Sequence, residues 1–183
     1  MILSAERDLF PDNLFLQSPT DDGRIWWLAH TKPRQEKALA RELLDAELPF
    51  FLPCSPLRKR VRNRVVTSHI PLFSGYAFVR VTPEERSQVY LGNRVARLVS
   101  VGDQEQLWSD LLQVSKLLTM GEPVALEDRL VPGTAVTIRT GPLTGMTGTV
   151  VRSATGRKFV VQVHLIQRGV SVTVDSGSLG KLA

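Results

Sequence analysis

The spacing of apolar residues predicts regular structure in the part of the chain before residue 120. The apolar run Ile25–His30 is typical of a buried strand. Over Gln35–Glu47, Leu39, Leu43 and Leu44 recur at helical spacing while charged residues fill the other positions. This pattern predicts an amphipathic helix directly after the first strand.

Further elements follow the first helix. Short β-favouring runs predict strands over Phe50–Leu52, Tyr76–Val81 and Val95–Val101. Thr82, followed by proline and two acids, predicts the start of a helix with Thr82 as its N-cap. A second long helix is predicted over Gln104–Thr119. Its expected apolar stripe consists of Leu107, Trp108, Leu111, Leu112, Val114 and Leu118. The order of elements indicates an α+β domain with an antiparallel or mixed sheet.

The pattern changes after residue 120. Residues 121–133 contain two prolines and two glycines, which indicates a linker. Beyond Ala135, short β-branched runs alternate with glycine-containing turns, and no helical period is found. Several strands within about 50 residues predict a small all-β barrel. Because β-branched residues and glycine form helices poorly, we expect a barrel here and not a helical hairpin.

Composition and charge narrow the functional classes. The chain has 183 residues, 43% of them hydrophobic, with 23 Lys and Arg against 18 Asp and Glu. This excess of +5 permits contact with phosphate groups without proving it. The single cysteine, Cys54, suits a reducing cytoplasm. No segment is typical of a membrane span or signal peptide, and we interpret residues 1–23 as a loose N-terminal extension.

Two sequence motifs resemble one known family. Residues 131–151, VPGTAVTIRTGPLTGMTGTVV, resemble a KOW motif. Upstream, WWLAHTKP at residues 26–33 and PLFSGYAFV at residues 71–79 resemble the NusG N-terminal (NGN) domain. Together they make residues 24–183 similar to NusG-type transcription factors. The sequence of the second NGN segment resembles the specialised paralogues, such as RfaH and the UpxY and LoaP groups, more closely than it resembles housekeeping NusG.

The resemblance implies an NGN domain at residues 24–120, a linker at 121–130 and an SH3-like KOW barrel at 131–183. It also implies a monomeric bacterial elongation or antitermination factor without enzymatic activity, cofactor or metal. The NGN domain would bind the clamp helices of the largest RNA polymerase subunit and suppress pausing or termination. The residues that match the family's apolar binding cavity are His30, Leu72, Phe73, Tyr76, Phe78 and Leu112.

Some of these cavity residues also have ordinary structural interpretations. Strand alternation places Tyr76 and Phe78 on one face of the sheet, where both could simply pack against helices. Phe73, in the turn before that strand, is the better candidate for contact with the polymerase. His30 stands where relatives often have an aromatic residue, and a structural role is an equal alternative.

A basic run predicts a hairpin tip that projects into water. Five cations lie within seven residues: Arg58, Lys59, Arg60, Arg62 and Arg64. The simplest interpretation is a solvated hairpin. The functional one is contact with nucleic acid or the polymerase cleft, since guanidinium groups bind phosphate in fixed geometry. The residues that loosely match the edge near non-template DNA in RfaH-like proteins are Lys32, Arg34 and Arg94. Most DNA-reading residues of RfaH are absent.

The predicted barrel carries a candidate partner loop. Leu143 and Met146 lie between two predicted strands, and we expect them to be exposed for a partner. They could alternatively close the end of the barrel. In the family, the barrel binds the termination factor Rho or the ribosomal protein NusE, and the sequence does not distinguish these two partners.

Two other classes of function compete with this one. A ribosome-associated KOW protein would bind rRNA through the barrel and the basic tip. A hydrolase would need a clustered acid–base site, and the sequence contains no zinc-ligand spacing, phosphate-binding loop or nucleophile elbow. The glycine-rich segment Gly141–Gly148 precedes a predicted strand and so presents no helix N-terminus to a phosphate.

Overall fold

The computed structural model describes residues 7–16, 22–61, 64–121, 124–127, 133–141, 143–153, 156–174 and 179–181. The chain divides into two compact units, residues 1–105 and 106–183. The division falls inside the second long helix. The domain boundaries predicted from the sequence, at residues 24, 121 and 131, stay predictions.

The first unit contains a five-stranded antiparallel sheet and a separate two-stranded one. The strand order of the larger sheet is β1-β3-β6-β2-β7. Its strands are β1 (Leu9–Phe10), β2 (Ile25–Thr31), β3 (Phe50–Phe51), β6 (Tyr76–Val81) and β7 (Val95–Ser100). The smaller sheet pairs β4 (Cys54–Val61) with β5 (Arg64–Pro71). Helix α1 (Glu36–Asp45) and the 3₁₀ helix η1 (Glu85–Tyr90) complete the unit. The strands and the helix predicted from Ile25 to Val101 are confirmed within a few residues.

One face of the large sheet packs against α1. Alternate residues of β2 and β6, among them Trp27, Ala29 and Val79, share a core cluster with Leu39 and Leu43 of α1. Successive strand side chains point to opposite faces, so the cluster takes every second residue. Helical spacing brings the two leucines onto the side of α1 that meets the sheet. We call this face of the sheet the helix-covered face.

The opposite face is partly covered by the N-terminal segment. Leu9 and Phe10 pair with β3, Leu14 is 1% exposed, and the Phe15 ring stacks on Trp26 with centroids 6.1 Å apart. The expectation of a loose extension over residues 1–23 is therefore wrong for residues 7–16. Its apolar side chains bury aromatic surface that the sheet would otherwise expose to water.

Charged side chains fasten the sheet to the residues around it. Arg80, 2% exposed, donates to both carboxylate oxygens of Asp22, at 2.8 and 3.1 Å. Arg24 likewise donates to both oxygens of Glu85, at 2.6 and 2.9 Å. Glu85 also accepts the Thr82 N–H, while the Thr82 hydroxyl accepts the Glu85 N–H. These two bonds form a capping-box arrangement at the predicted helix start, although the 3₁₀ helix η1 itself begins at Glu85 with Glu84 as its N-cap.

The second unit combines most of α2 (Gln104–Thr119) with a six-stranded antiparallel sheet of order β13-β9-β10-β11-β12-β8. The strands are β8 (Ala125–Glu127), β9 (Thr134–Ile138), β10 (Thr147–Ser153), β11 (Gly156–Val163), β12 (Arg168–Val174) and β13 (Leu179–Lys181), with the 3₁₀ helix η2 (His164–Ile166). The predicted strands of this part are confirmed as β9 to β12. β8 lies in the predicted linker and pairs with β12, so that stretch is not irregular throughout. The proposed closure of the sheet into a barrel stays a prediction.

Polar side chains join α2 to this sheet. Asp110, 2% exposed, accepts the His164 backbone N–H at 2.9 Å and lies 3.1 Å from the His164 ring nitrogen Nδ1. Gln113 accepts the Thr147 N–H at 2.9 Å. The buried apolar stripe of α2 consists of Leu107, Leu111, Val114 and Leu117. The predicted stripe is confirmed at Leu107, Leu111 and Val114, but it omitted Leu117 and included Trp108, Leu112 and Leu118, which are half-buried.

Candidate protein- and nucleic-acid-binding surfaces

An aromatic pair lies at the exposed end of β2 and β6. His30 and Tyr76 are opposite each other in the strand register, and their rings stack with centroids 5.2 Å apart and planes inclined by 20°. His30 is exposed and Tyr76 is half-buried. Because paired residues share a face, both lie on the sheet face away from α1. We call them the His30–Tyr76 pair.

The turn before β6 positions this pair. Gly75 has φ +84°, which residues with a Cβ rarely adopt, and the Tyr76 N–H donates to the Phe73 carbonyl at 3.0 Å. The Gly75 N–H donates to Glu36 Oε1 at 2.7 Å, and the Gly75 carbonyl accepts the Thr31 N–H at 2.9 Å. The first turn of α1 and the end of β2 thus hold the turn from both sides.

The other residues of the predicted cavity are not accessible. Leu72 is 9% exposed, Phe73 1% and Phe78 0%, and the two phenylalanine rings meet edge to face at 6.2 Å. Phe73, the better candidate for polymerase contact from the sequence, is therefore buried here, because the turn directs its ring against Phe78, and its role in binding stays a prediction. Leu112 belongs to the second unit and is half-buried. Of the predicted set, the first unit brings together His30 and Tyr76 as an accessible pair.

The basic run lies on a β-hairpin, as predicted. Arg58, Arg60 and Arg64 are exposed, and Val65, Val66 and Ile70 expose 69%, 46% and 44% of their surface. Apolar residues on both faces of β5 are thus open to solvent, which identifies the hairpin as a projecting arm. We call β4 and β5 together the basic arm.

The cations of the basic arm divide between its two faces. Arg58 and Arg60 lie two residues apart on one face, whereas Arg64, paired with Val61, lies on the other. The side chain of Lys59 and the whole of Arg62 fall outside the described residues. The predicted cluster is therefore described for three of its five cations.

The other predicted DNA-edge residues are less free. Lys32 Nζ donates to Asn93 Oδ1 at 2.6 Å. Arg94 donates through Nε to Glu42 and through Nη1 to Gln35, both at 2.8 Å. The Arg94 guanidinium group thus joins the turn before β7 to α1, and its role as a DNA contact stays a prediction. Arg34 is exposed and adopts φ 61°.

The candidate partner loop of the second unit is less accessible than predicted. Leu143 is half-buried and Met146 is 4% exposed. The Met146 carbonyl accepts the Ile138 N–H at 2.9 Å, and the Gly145 N–H donates to the Ile138 carbonyl at 2.8 Å. These bonds hold the loop against the end of β9, and Met146 is buried there. The expectation that Met146 is exposed is wrong.

Sequence reasoning missed an exposed apolar residue on the helix-covered side. Leu91, directly after η1, exposes 83% of its surface, and Tyr90 exposes 38%. The sequence signal that could have found it is the pair of large apolar residues Tyr90 and Leu91 directly before Gly92 and Asn93, where the apolar spacing predicts no core position. Leu91 borders a groove that also contacts α1.

Metal sites and membrane spans are both absent from the described ranges. No group of three or more His, Cys, Asp and Glu side chains in these ranges could hold a metal ion. No helix among the described residues is long and apolar enough to cross a membrane.

Comparison with known proteins identifies one family. A sequence profile described as "Transcription termination factor nusG" matches residues 24–131. No curated protein sequence gives a significant match. A solved structure of NusG from Thermotoga maritima, described as "Domain interaction in Thermotoga maritima NusG", is similar at 17% sequence identity with a TM-score of 0.47. That match covers 87% of this chain and 98% of the other.

Proposed function

Since the chain belongs to the NusG family of transcription factors, we propose that it binds RNA polymerase through the His30–Tyr76 pair and keeps transcription elongation processive. The observation that carries the proposal is a stacked aromatic pair at a sheet end, in which His30 is exposed and Tyr76 is half-buried. Aromatic side chains are enriched at the energetic centres of protein interfaces. The contact would be with the clamp helices of the largest polymerase subunit.

A binding protein of this kind works without covalent chemistry. If it binds the closed clamp more tightly than the open one, it raises the population of the closed state. A closed clamp disfavours pausing, so the expected outcome is antitermination. We propose that the chain is a specialised paralogue, because the residues PLFSGYAFV resemble that group. Membership of the NusG family supports the further proposal that it acts in the cytoplasm as a monomer.

Binding to purified core polymerase tests the first step. Tyr76→Ala together with His30→Ala should weaken binding at least tenfold, as expected for the loss of an interface hot spot. His69→Ala, which removes a half-exposed histidine from the basic arm, is the matched control. Equal binding by the double variant and the unaltered protein would reject the proposed surface. Pause lifetimes on a defined template then test the effect on elongation.

We also propose that the basic arm contacts nucleic acid through the face that carries Arg58 and Arg60. The affinity for nucleic acid falls as salt rises, and removing one arginine that binds a phosphate should reduce the magnitude of the slope of log affinity against log salt concentration by about 1. Arg58→Ala with Arg60→Ala should therefore lower it by about 2, while Arg64→Ala on the other face should leave it unchanged. Equal slopes for all variants would remove the arm from the nucleic-acid interface. Lys32 and Arg34 are secondary candidates for the same role.

The second unit is proposed to be a KOW barrel that recruits NusE or Rho. Leu143 is the accessible member of its partner loop, and Met146 would support that loop from inside. Leu143→Ala should weaken capture of the partner without changing polymerase binding. Testing purified NusE and Rho in parallel identifies the partner, and no binding of either would refute the recruitment role.

The basic arm also favours a second candidate function, namely that of a ribosome-associated RNA-binding protein. That function predicts tight, steeply salt-dependent binding of rRNA together with no affinity for core polymerase. Titrations of the unaltered protein with rRNA and with core polymerase decide between the two functions.

A further inference from the structure

The basic arm is a two-stranded ribbon whose side chains divide between two faces. β4 and β5 form a sheet of their own, separate from the five-stranded sheet. Their register places Arg58 opposite Thr67 and Arg60 opposite Val65. Because opposed residues share a face with residues two positions away, these four side chains lie on the same side of the ribbon. All four are exposed, and we call them the Arg–Val face.

The charge of the arm suits a polyanion. The sequence from Cys54 to Pro71 contains five Lys and Arg residues and no Asp or Glu. No acidic side chain of the arm itself therefore neutralises the guanidinium groups of Arg58 and Arg60. The phosphate groups of a nucleic acid provide the complementary charge, and they release counterions when arginine binds them.

Val65 is the residue of the Arg–Val face that phosphate contact does not explain. It exposes 69% of its surface directly opposite Arg60. Within a DNA duplex, an apolar group for it to contact is the C5 methyl group of thymine, which lies in the major groove. Arginine binds the O6 and N7 atoms of guanine in that same groove, and threonine forms hydrogen bonds with base edges there. The face therefore combines side chains that suit the base edges of the major groove.

The dimensions of the arm also match the major groove. Neighbouring strands lie about 4.8 Å apart, and the major groove of B-form DNA, about 12 Å wide, admits a two-stranded ribbon. Arg58 and Arg60 are separated by about 7 Å along β4, which equals about two base-pair steps. The minor groove, about 6 Å wide, is too narrow for such a ribbon. The deep, narrow major groove of A-form RNA does not admit side chains.

We infer that the basic arm inserts into the major groove of double-stranded DNA and contacts base edges through the Arg–Val face. Arg58 and Arg60 bind guanine, and Val65 contacts the methyl group of a nearby thymine. The inference rests on the proposed contact between the basic arm and nucleic acid, and it adds the kind of nucleic acid and the groove. A sequence preference follows, because base edges carry the sequence information that phosphates lack.

Replacement of thymine by uracil tests the inference on the full-length protein. Selection from duplex DNA with a randomised central segment provides the probe, and the selected sites should contain guanine close to thymine. Uracil in place of that thymine removes only the methyl group and should weaken binding about fourfold, the effect of one buried methyl group. Because the change is made in the DNA, misfolding of the protein cannot cause the loss. Equal affinity for both duplexes, or selection of no preferred sequence, would overturn the inference.

Two adjacent valines provide a matched pair of variants. Val65→Ser should abolish the difference in affinity between the thymine and uracil duplexes. Val66→Ser changes an exposed valine on the other face of β5 and should retain that difference. Arg58→Ala should reduce the preference for its guanine about fivefold or more. A thymine–uracil difference that persists in Val65→Ser would contradict the contact assigned to Val65.

Chemical modification of the bases identifies the groove. Methylation of guanine N7, which lies in the major groove, should block binding, whereas methylation of adenine N3, in the minor groove, should not. The opposite result would place the arm in the minor groove and overturn the inference. Duplex RNA of the same sequence should bind more weakly at the same salt concentration. Equally tight binding of RNA would also overturn it.

The salt dependence of binding separates this inference from the proposed contact on which it rests. If Arg58→Ala with Arg60→Ala reduces the salt slope while uracil has no effect, the arm binds phosphate only. The proposed contact then stands and the groove insertion is refuted. If the salt slope does not change either, both the contact and the insertion are refuted. A reduced slope together with the loss of affinity for the uracil duplex would support both.

Discussion

The side-chain amide of Gln104 bonds both backbone polar groups of Trp26. Gln104 Oε1 accepts the Trp26 N–H at 2.7 Å, and Gln104 Nε2 donates to the Trp26 carbonyl at 3.0 Å. The pairing of β2 with β7 stops at Trp27 and Ser100, one residue short of Trp26. Gln104, the first residue of α2, thus provides the hydrogen-bond partners for the Trp26 backbone, which β7 does not reach.

We predict that Gln104→Ala lowers the free energy of unfolding by about 1–3 kcal/mol. Trp26 is fully buried, so its N–H and carbonyl would lose their partners without gaining water. Urea unfolding followed by circular dichroism measures the change. Glu105→Gln, at the next and exposed position, should have little effect. Equal stability of Gln104→Ala and the unaltered protein would show that water reaches Trp26.

The N-terminal segment should stabilise the sheet through Phe15. Its ring stacks on Trp26 and meets Phe51 edge to face at 5.2 Å. Each aromatic pair contributes about 0.5–1.5 kcal/mol, so Phe15→Ala should cost about 1–3 kcal/mol in urea unfolding. Leu16→Ala, at a residue 87% exposed, should cost almost nothing. Similar losses for both variants would contradict a specific role of the ring.

Acid should weaken the Arg24–Glu85 pair. The hydrogen bond from Arg24 holds the pKa of Glu85 below its ordinary value of 4.5. Because the folded pKa is lowered, the pair stabilises the protein above pH 4.5 and this contribution is lost as the pH falls further. Glu85→Gln should therefore be less stable at pH 7 by about 1 kcal/mol. The difference should shrink on acidification in urea titrations, and a constant difference would refute the linkage.

The contribution of Asp8 to stability should change with pH in the opposite direction to that of Glu85. Burial raises the pKa of its carboxyl group above the ordinary value of 3.8. The charged form is therefore less favourable in the folded state, and the resulting loss of stability grows as the pH rises through the raised pKa. Asp8→Asn should be more stable than the unaltered protein at pH 7 and lose this advantage at low pH. A destabilised Asp8→Asn at neutral pH would point to a hydrogen bond that outweighs burial.

Two glycines of the second unit should respond differently to alanine. A Cβ on Gly148 would lie 2.5 Å from the Val160 carbonyl oxygen and 2.8 Å from the Phe159 ring. Gly145 has φ +84° but open space around it. Gly145→Ala should cost about 1 kcal/mol of backbone strain, and Gly148→Ala clearly more, since β10 and β11 would have to separate. Thermal unfolding of both variants checks the order, and a larger loss at Gly145 would reverse the argument.

The long, strongly periodic elements were predictable from the sequence. The apolar run at Ile25 became β2, the leucine spacing after Gln35 became α1, and the span of α2 was predicted residue for residue. The helix start near Thr82 was also predictable, because the hydrogen bonds between Thr82 and Glu85 join residues three positions apart. In each case the pattern that determines the structure is local.

The missed elements depend on distant partners. β1 and β8 have two and three residues, too few to show a period, and pairing with β3 and β12 makes them strands. The burial of Met146 depends on bonds to Ile138. The groove beside Leu91 depends on the fit between α1 and the separate segment around η1. These features result from tertiary structure, which local spacing does not encode.

The structure of the basic arm determines how far its sequence and length can vary between related proteins. β4 and β5 contact chiefly each other, and the described side chains of β5 toward the tip are exposed to solvent on both faces. Insertions, deletions or exchanged sequences at the tip would therefore leave the five-stranded sheet intact. The arm can be shortened, lengthened or replaced as a unit, so two proteins with the same sheet and the same His30–Tyr76 pair can differ entirely in what this hairpin contacts.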